Sequence, residues 1–288
     1  MALDALTLAT LGEELNTLLS EGRIERISMP DGDDVVLQIK RRGEKNSVLL
    51  LLCASPSDCR VCITTAKFEN PLNAPAFLMH LRKHIMGGVI TSVSPVLHER
   101  VIKISIDACD ELGYKRSFSL YVEMVGRFSN IILVDENGVI TDAIRRVYLD
   151  TFSARAVISG TKYALPPSQE NKIAVEDERF DLVVNSFTGG KLADYLLANI
   201  YGFAPITIRQ AVYDTFGTTT PTKEQVVGQA QKLQHSFTAL SKVYEPCCLV
   251  ANGKPTDFFV KPYTHIDAQF ISYPTLSSAI ESVYDSRR

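Results

Sequence analysis

A short polar turn holds the residue types in this sequence that are best suited to chemistry. Gly126, Arg127, Ser129 and Asn130 separate an alternating strand pattern from an apolar strand pattern within residues 121–133. A guanidinium, a hydroxyl and an amide at one edge of a sheet suit a polyanion or another polar partner. The alternative is a polar turn whose side chains satisfy only its own backbone. Both interpretations are open on the sequence alone.

A second group of polar residues lies at the basic end of a predicted helix. Arg82, Lys83 and His84 follow one another there, and their positive charge complements the helix dipole, which is a sufficient structural reason for them. The net charge of −3 and the pI near 6.0 argue against a strongly basic, non-specific nucleic-acid binder. A local basic face is still compatible with this charge.

The residues that commonly carry catalysis or metals do not form a recognisable set. The five histidines lack metal-ligand spacing, and there is no Gly-x-Ser-x-Gly turn, Gly-x-Gly-x-x-Gly loop or Walker loop. Cys59 and Cys62 form a lone Cys-x-x-Cys in a predicted strand, which would place their side chains on opposite faces. We therefore expect no catalytic residues, no metal site and no cofactor.

Composition indicates a globular protein. The chain has 288 residues, of which 45% are hydrophobic and 22% charged, enough for a sizeable core and about two domains. The start lacks the pattern of a signal peptide, and the longest apolar run, residues 48–54, is too short to span a bilayer. The six cysteines do not resemble a disulfide framework. These features favour a reducing, cytoplasmic location and no membrane partner.

The first half of the chain alternates helices with runs of short strands. Asp4 is the predicted N-cap of a helix over residues 4–20, whose apolar stripe is Leu8, Leu11, Leu15 and Leu18. A second helix is predicted over 75–85. Strands are predicted over 23–29, 34–40, 48–54, 60–64, 89–93, 100–106, 118–124, 131–134 and 139–144. This order predicts an antiparallel, β-rich α+β domain rather than a parallel βαβ sheet.

The pattern changes after Pro166-Pro167 and a polar linker over 168–172. Helices are predicted over 191–201 and 206–215, joined by a tight turn that contains Gly202. This is a candidate helix–hairpin–helix, whose free amides and second helix N-terminus would form a phosphate site; a plain helical hairpin is the alternative. A further helix over 221–243, a hairpin over 249–262 and the start of a longer helix at 277 complete the pattern.

Several segments taken together resemble the N-terminal region of the NFACT family. They are Phe68-Glu-Asn-Pro71, residues 79–88, residues 121–133, Leu165-Pro-Pro167 and Tyr201-Gly-Phe-Ala-Pro205. Their order and spacing match over essentially the whole chain. The family includes streptococcal proteins labelled fibronectin-binding protein A.

The resemblance implies a fold similar to the N-terminal domain of formamidopyrimidine-DNA glycosylases. The implied domains are a β-rich NFACT-N domain over 1–167, a helix–hairpin–helix domain over 168–245, and a β-hairpin with the start of a coiled-coil helix over 246–288. The chain then looks like a fragment of a longer protein. Glycosylases use an N-terminal Pro followed by Glu, whereas this chain begins Met-Ala-Leu-Asp, so no enzyme activity is expected.

The function that the resemblance implies is ribosome quality control. Members bind a large ribosomal subunit that still holds peptidyl-tRNA and recruit alanyl-tRNA for C-terminal tailing of the stalled chain, while the ribosome performs peptidyl transfer. The tRNA-engaging residues of the family match Asp4 and the pair Glu99-Arg100, in which Glu replaces the family Asp. Further RNA contacts are expected at Arg82, Lys83, Arg127, Ser129, Asn130 and Gly202.

The competing class is an adhesin that binds fibronectin at the cell surface after release without a signal peptide. The sequence lacks the disordered repeats that add strands to fibronectin modules. Ribosome quality control is therefore the favoured expectation.

Overall fold

The chain divides into two units whose segments alternate along the sequence. The computed structural model describes residues 3–69, 71–149, 155–167 and 171–286. We call Leu11–Val96 with Arg100–Ser168 the sheet unit, and Met1–Thr10 with Leu97–Glu99 and Gln169–Arg288 the helical unit. Each unit is described by itself.

The sheet unit is built on a nine-stranded antiparallel sheet in the order β4-β3-β2-β1-β5-β6-β7-β8-β9. Its strands are β1 Arg23–Ser28, β2 Asp34–Lys40, β3 Val48–Cys53, β4 Arg60–Thr64, β5 Val89–Pro95, β6 Val101–Cys109, β7 Lys115–Glu123, β8 Asn130–Asp135 and β9 Ile140–Ala143. Among the described residues, only the neighbours β1 and β5 have an α-helix between them along the chain, so most pairings are local hairpins. Strands β6 and β7 alternate buried and more exposed residues, as is common in antiparallel sheets, whereas β2, β3 and β8 are buried along most of their length.

Helix α1, Ala5–Leu19, begins at the predicted N-cap and crosses the division between the units. Leu8, Leu11, Leu15 and Leu19 are fully buried, so the predicted stripe is right except that Leu19 takes the place of Leu18. Helix α2, Ala76–Ile85, packs in the sheet unit through Phe77, Leu78, Leu81 and Ile85.

Two glycines explain why α2 ends where it does. Gly87 lies just past the end of α2 and has a φ of +80°, a backbone conformation that residues with a side chain rarely adopt. A Cβ on Gly88 would lie 2.9 Å from Ile106 Cγ2 on β6, so this position also requires glycine. The chain thereby turns directly from α2 into β5.

The helical unit contains six helices and a small antiparallel sheet among its described residues. The helices are α3 Phe180–Asn185, α4 Leu192–Asn199, α5 Pro205–Phe216, α6 Lys223–Val226, α7 Ala230–Leu240 and α8 Leu276–Asp285. Strands β10 Cys247–Ala251, β11 Lys254–Phe259 and β12 Gln269–Ser272 form a sheet in the order β11-β10-β12. Leu6 joins the buried core that α3 to α7 share with this sheet.

The structure confirms the antiparallel, β-rich α+β fold class and corrects several elements. The single helix predicted over 221–243 is two helices, because Gly228 adopts a φ of +75° between α6 and α7. Helix α3 and strand β12 were not predicted. Residues 168–170 of the predicted linker and 287–288 of the predicted last helix lie outside the described residues.

Candidate functional site

Asp4 lies at the centre of a buried polar network in the helical unit. Its Oδ1 accepts a hydrogen bond of 2.9 Å from Thr7 N, which caps α1 as predicted. Its Oδ2 accepts one of 2.9 Å from Ala204 N and one of 2.7 Å from the Thr207 hydroxyl, both at the start of α5. Since the Asp4 side chain is buried, one carboxylate holds two helix N-termini together.

Burial raises the pKa of Asp4 above its ordinary value, and the hydrogen bonds from Ala204, Thr7 and Thr207 oppose that shift. Tyr263 extends the network, because its hydroxyl donates to Thr207 Oγ1 at 3.3 Å. Burial also raises the pKa of Tyr263. A phosphate site was predicted in the turn that contains Ala204. The Ala204 amide already donates its hydrogen bond to the Asp4 carboxylate, so that amide is not available to a phosphate.

Gly202 lies in the turn between α4 and α5, next to this network. Its φ of +92° favours glycine, and its carbonyl accepts a hydrogen bond of 2.9 Å from Ala5 N. A Cβ built on it would lie 3.6 Å from both Ala5 Cβ and His98 O. The structure therefore brings together two residues predicted from distant motifs, Asp4 and Gly202.

The pair Glu99-Arg100 lies where the chain passes from the helical unit to the sheet unit. Glu99 is half-buried and belongs to the helical unit, and His98 precedes it. Arg100 is exposed, directly precedes β6, and accepts a backbone hydrogen bond of 2.8 Å from Met124 N. The guanidinium is thus solvent-accessible while its backbone is anchored in the sheet.

The residues of the polar turn at 126–130 differ in how accessible their side chains are. Asn130 is buried and satisfies backbone groups: its Nδ2 donates to Arg145 O at 2.8 Å, and its Oδ1 accepts from Ile131 N at 2.9 Å. Arg127 is exposed in the 3-10 turn Gly126–Phe128, with its guanidinium 4.7 Å from the centre of the Phe128 ring. Asn130 therefore builds the turn, and Arg127 is the side chain available to a partner.

A cavity of about 440 Å³ opens beside this turn in the sheet unit. Val125, Phe128, Val147 and Pro166 contribute apolar walls. Ser129 lines it, and the Ser129 hydroxyl is buried without a hydrogen-bond partner among the described residues. Buried hydroxyls are usually paired, so the Ser129 hydroxyl is an exception among the described residues.

Glu123 forms a buried ion pair that sequence patterns did not single out. Its carboxylate is fully buried, pairs with Arg155, and accepts a hydrogen bond of 2.9 Å from the Tyr163 hydroxyl. Burial, and then the nearby Glu123 carboxylate, raise the pKa of Tyr163. The sequence signal was an acidic residue that directly follows the alternating part of this strand, at its buried end.

Arg82 and Lys83 differ in how much of their charge is available. The Arg82 guanidinium donates twice to Ile27 O on β1, at 3.1 and 2.9 Å, so it fixes α2 to the sheet. Lys83 is exposed, with its Nζ 4.0 Å from Glu111 Oε1. Of these two residues, Lys83 is the one whose charge faces solvent.

Two other classes of site are not observed in the described part of the chain. No group of three or more His, Cys, Asp or Glu side chains there is arranged to hold a metal ion. None of the described helices is long and apolar enough to cross a membrane. Cys247 and Cys248 are buried, and burial raises the pKa of each thiol to about 12.

Two curated relatives align with nearly the whole chain. It is 32% identical over 288 residues to a Bacillus subtilis protein named Rqc2 homolog RqcH, covering 99% of this chain and 49% of that protein. A Streptococcus pneumoniae protein of the same name is 30% identical over 261 residues, covering 90% of this chain and 44% of that protein. The chain thus spans about half the length of these relatives.

Solved structures agree with the fold. The fibrinogen binding protein from Staphylococcus aureus superposes with a TM-score of 0.83 at 27% identity, covering 99% of this chain and 100% of that one. The N-terminal part of the fibronectin/fibrinogen-binding protein from Streptococcus suis gives 0.79 at 25% identity, covering 98% of each chain. The family of NFACT N-terminal and middle domains matches residues 4–288. This chain therefore belongs to the NFACT family.

Proposed function

We propose that this protein acts in ribosome quality control. In this role it binds a large ribosomal subunit carrying peptidyl-tRNA and helps to recruit alanyl-tRNA for C-terminal tailing. The observation that carries the proposal is the similarity to proteins named Rqc2 homolog RqcH over 99% of the chain. The ribosome would perform peptidyl transfer, so the protein needs binding surfaces rather than catalytic groups.

In this proposal Glu99 and Arg100 contact tRNA, and Asp4 acts indirectly. The Asp4 carboxylate is buried and already accepts three hydrogen bonds, so its contribution is to hold the α4–α5 turn near residues 98 and 99. The exposed guanidinium of Arg100 is suited to a phosphate or a base edge. The turn between α4 and α5 is proposed as part of a helix–hairpin–helix domain, and Lys83 and Arg127 as auxiliary phosphate contacts.

The net charge of −3 predicts how strongly this region binds RNA alone. With a net negative charge, the isolated region would bind RNA weakly, and that binding would weaken further as salt is raised, because phosphate contacts release counterions. The remaining half of the full-length protein would supply other contacts. Binding experiments therefore require the full-length protein and a salt series.

Arg100→Ala is expected to reduce recovery of tRNA with large subunits about tenfold or more, the usual scale of a lost charged hydrogen bond. Recovery of large subunits should change little, because only one of the protein's many positive charges is removed. Arg100→Lys keeps the positive charge but loses the planar guanidinium, so its tRNA recovery should lie between those of wild type and Arg100→Ala. The measurement is co-sedimentation of full-length protein, subunits and tRNA at several salt concentrations. If Arg100→Ala recovers tRNA and subunits as well as wild type does, Arg100 is not a tRNA contact.

Glu99 differs from the Asp expected at this position by one methylene group. Glu99→Asp is expected to keep or increase tRNA recovery, whereas Glu99→Gln should decrease it because the amide removes the negative charge. The same co-sedimentation assay ranks the variants. Equal recovery with all three side chains would show that the carboxylate is not used.

A second candidate function is binding of fibronectin or fibrinogen, which the names of the similar structures from Staphylococcus aureus and Streptococcus suis favour. The test is binding of the purified full-length protein to immobilised fibronectin and fibrinogen, in parallel with large subunits. Saturable binding to fibronectin, together with no retention of subunits or tRNA at low salt, would move this candidate to the front.

A further inference from the structure

His98 directly precedes Glu99 and has an unusual backbone conformation. Its φ is +61°, in the left-handed region that residues other than glycine seldom adopt. Such conformations persist only where the surrounding structure determines them, and they are concentrated at functional sites. The contacts that hold His98 are therefore informative.

Three contacts within the helical unit hold His98. Its Nε2 lies 3.4 Å from Glu176 Oε2, and its ring meets the Tyr201 ring edge-on, with centroids 5.5 Å apart and an interplanar angle of 86°. A Cβ on Gly202 would lie 3.6 Å from His98 O, so that glycine allows the backbones to approach. The His98 side chain is only 18% exposed. We call Glu176, Tyr201 and Gly202 the His98 clamp.

We propose that His98 is a positioning residue for tRNA binding. The His98 clamp holds the left-handed backbone, and that backbone sets the direction in which the next residue, Glu99, projects. The inference rests on the proposed function, because it requires Glu99 to meet tRNA. Binding groups act well only when held within about 0.5 Å of their working position, which gives a rigid preceding residue a clear role.

His98→Asn separates the clamp from the backbone preference. Asn tolerates the left-handed conformation better than most residues, so the turn itself should form. Its short side chain loses both the Tyr201 ring contact and the approach to Glu176. We expect full-length His98→Asn to keep the wild-type melting temperature and large-subunit recovery. Its tRNA affinity should fall about threefold, the scale of one weak polar contact.

Glu176→Gln tests the same clamp from its other side. It removes the charge near His98 but keeps a side chain of similar size. A decrease in tRNA affinity in the same direction as His98→Asn, and no further decrease when the two changes are combined, is expected for residues that act as one unit. Full additivity of the two changes would contradict the clamp.

The decisive experiment places His98→Asn in a Glu99→Ala background. If His98 acts by positioning Glu99, the substitution should have no further effect on tRNA affinity there, since the positioned group is absent. Equal losses in both backgrounds would overturn the proposal in favour of a general structural role. Wild-type tRNA affinity in His98→Asn, with reduced affinity in Glu99→Ala, would also overturn it while the proposed function stands. Wild-type tRNA affinity in both Glu99→Ala and Arg100→Ala would contradict the positioning role of His98 and also the tRNA contacts of the proposed function.

Discussion

Arg155→Met is expected to lower the free energy of unfolding of the sheet unit by about 3–5 kcal/mol. Glu123 is fully buried and Arg155 is 18% exposed, so removing the guanidinium leaves a carboxylate without its counter-charge in a low-dielectric site. Among the described residues, the Tyr163 hydroxyl is then the one side-chain donor that remains to the Glu123 carboxylate. Urea denaturation followed by a probe in the sheet unit measures the change.

Two controls make the Arg155 result specific. Arg116→Met removes a guanidinium of the same unit that pairs with Asp110 and Glu136 but is 49% exposed, so it should lower the free energy of unfolding far less than Arg155→Met does. The double variant Glu123→Leu with Arg155→Met replaces both charges by apolar groups and should recover most of the loss. Equal costs for Arg155→Met and Arg116→Met would contradict the role assigned to burial.

Asp4→Ala is expected to destabilise the helical unit by about 3 kcal/mol, because it leaves two backbone amides and a buried hydroxyl without their acceptor. The matched control is Thr275→Ala, which removes an ordinary N-cap bond of 3.1 Å to Ser278 N and should cost about 1 kcal/mol. Chemical denaturation of both variants compares them. A cost for Asp4→Ala no larger than that for Thr275→Ala would show that the contacts with α5 contribute little.

The pH dependence of the Asp4→Ala cost has a defined sign. Since the folded protein raises the pKa of Asp4 above 3.8, it binds the proton more tightly than the unfolded chain does. The stabilisation from Asp4 is therefore complete below about pH 3.8 and decreases as the pH rises through the folded-state pKa. The difference between wild type and Asp4→Ala should shrink over that interval. A difference that grows with pH would indicate a lowered pKa instead.

Local sequence signals predicted most of the elements of the sheet unit. Leu8, Leu11 and Leu15 identified α1, and alternating or continuous apolar runs bounded by turn residues identified the strands. The break between α6 and α7 was missed because the left-handed conformation of Gly228 depends on its tertiary setting. Strand β12 is short and largely exposed, so it lacks the alternation that reveals a strand.

The candidate sites were harder to predict, because their partners are distant in the sequence. Asp4 was recognised as a helix cap, but nothing near it indicated that it also binds Ala204 and Thr207. Glu123 pairs with Arg155, 32 residues away. Nothing in the sequence distinguished His98 from the other four histidines, since its positive φ and its contact with Glu176 exist only in the folded chain.

The assembly of the helical unit from three separate segments has a consequence for folding during synthesis. Asp4 and Ala204 are 200 residues apart, so the start of α1 has to wait for its partners to be translated. At about 5–20 residues per second that delay is about 10–40 s. Throughout that interval Leu6 lacks its core and Asp4 lacks two of its donors, whereas the strands of the sheet unit have all been translated before the interval ends. Nascent chains paused before residue 204 should therefore expose their first residues to proteases and chaperones while their sheet is protected.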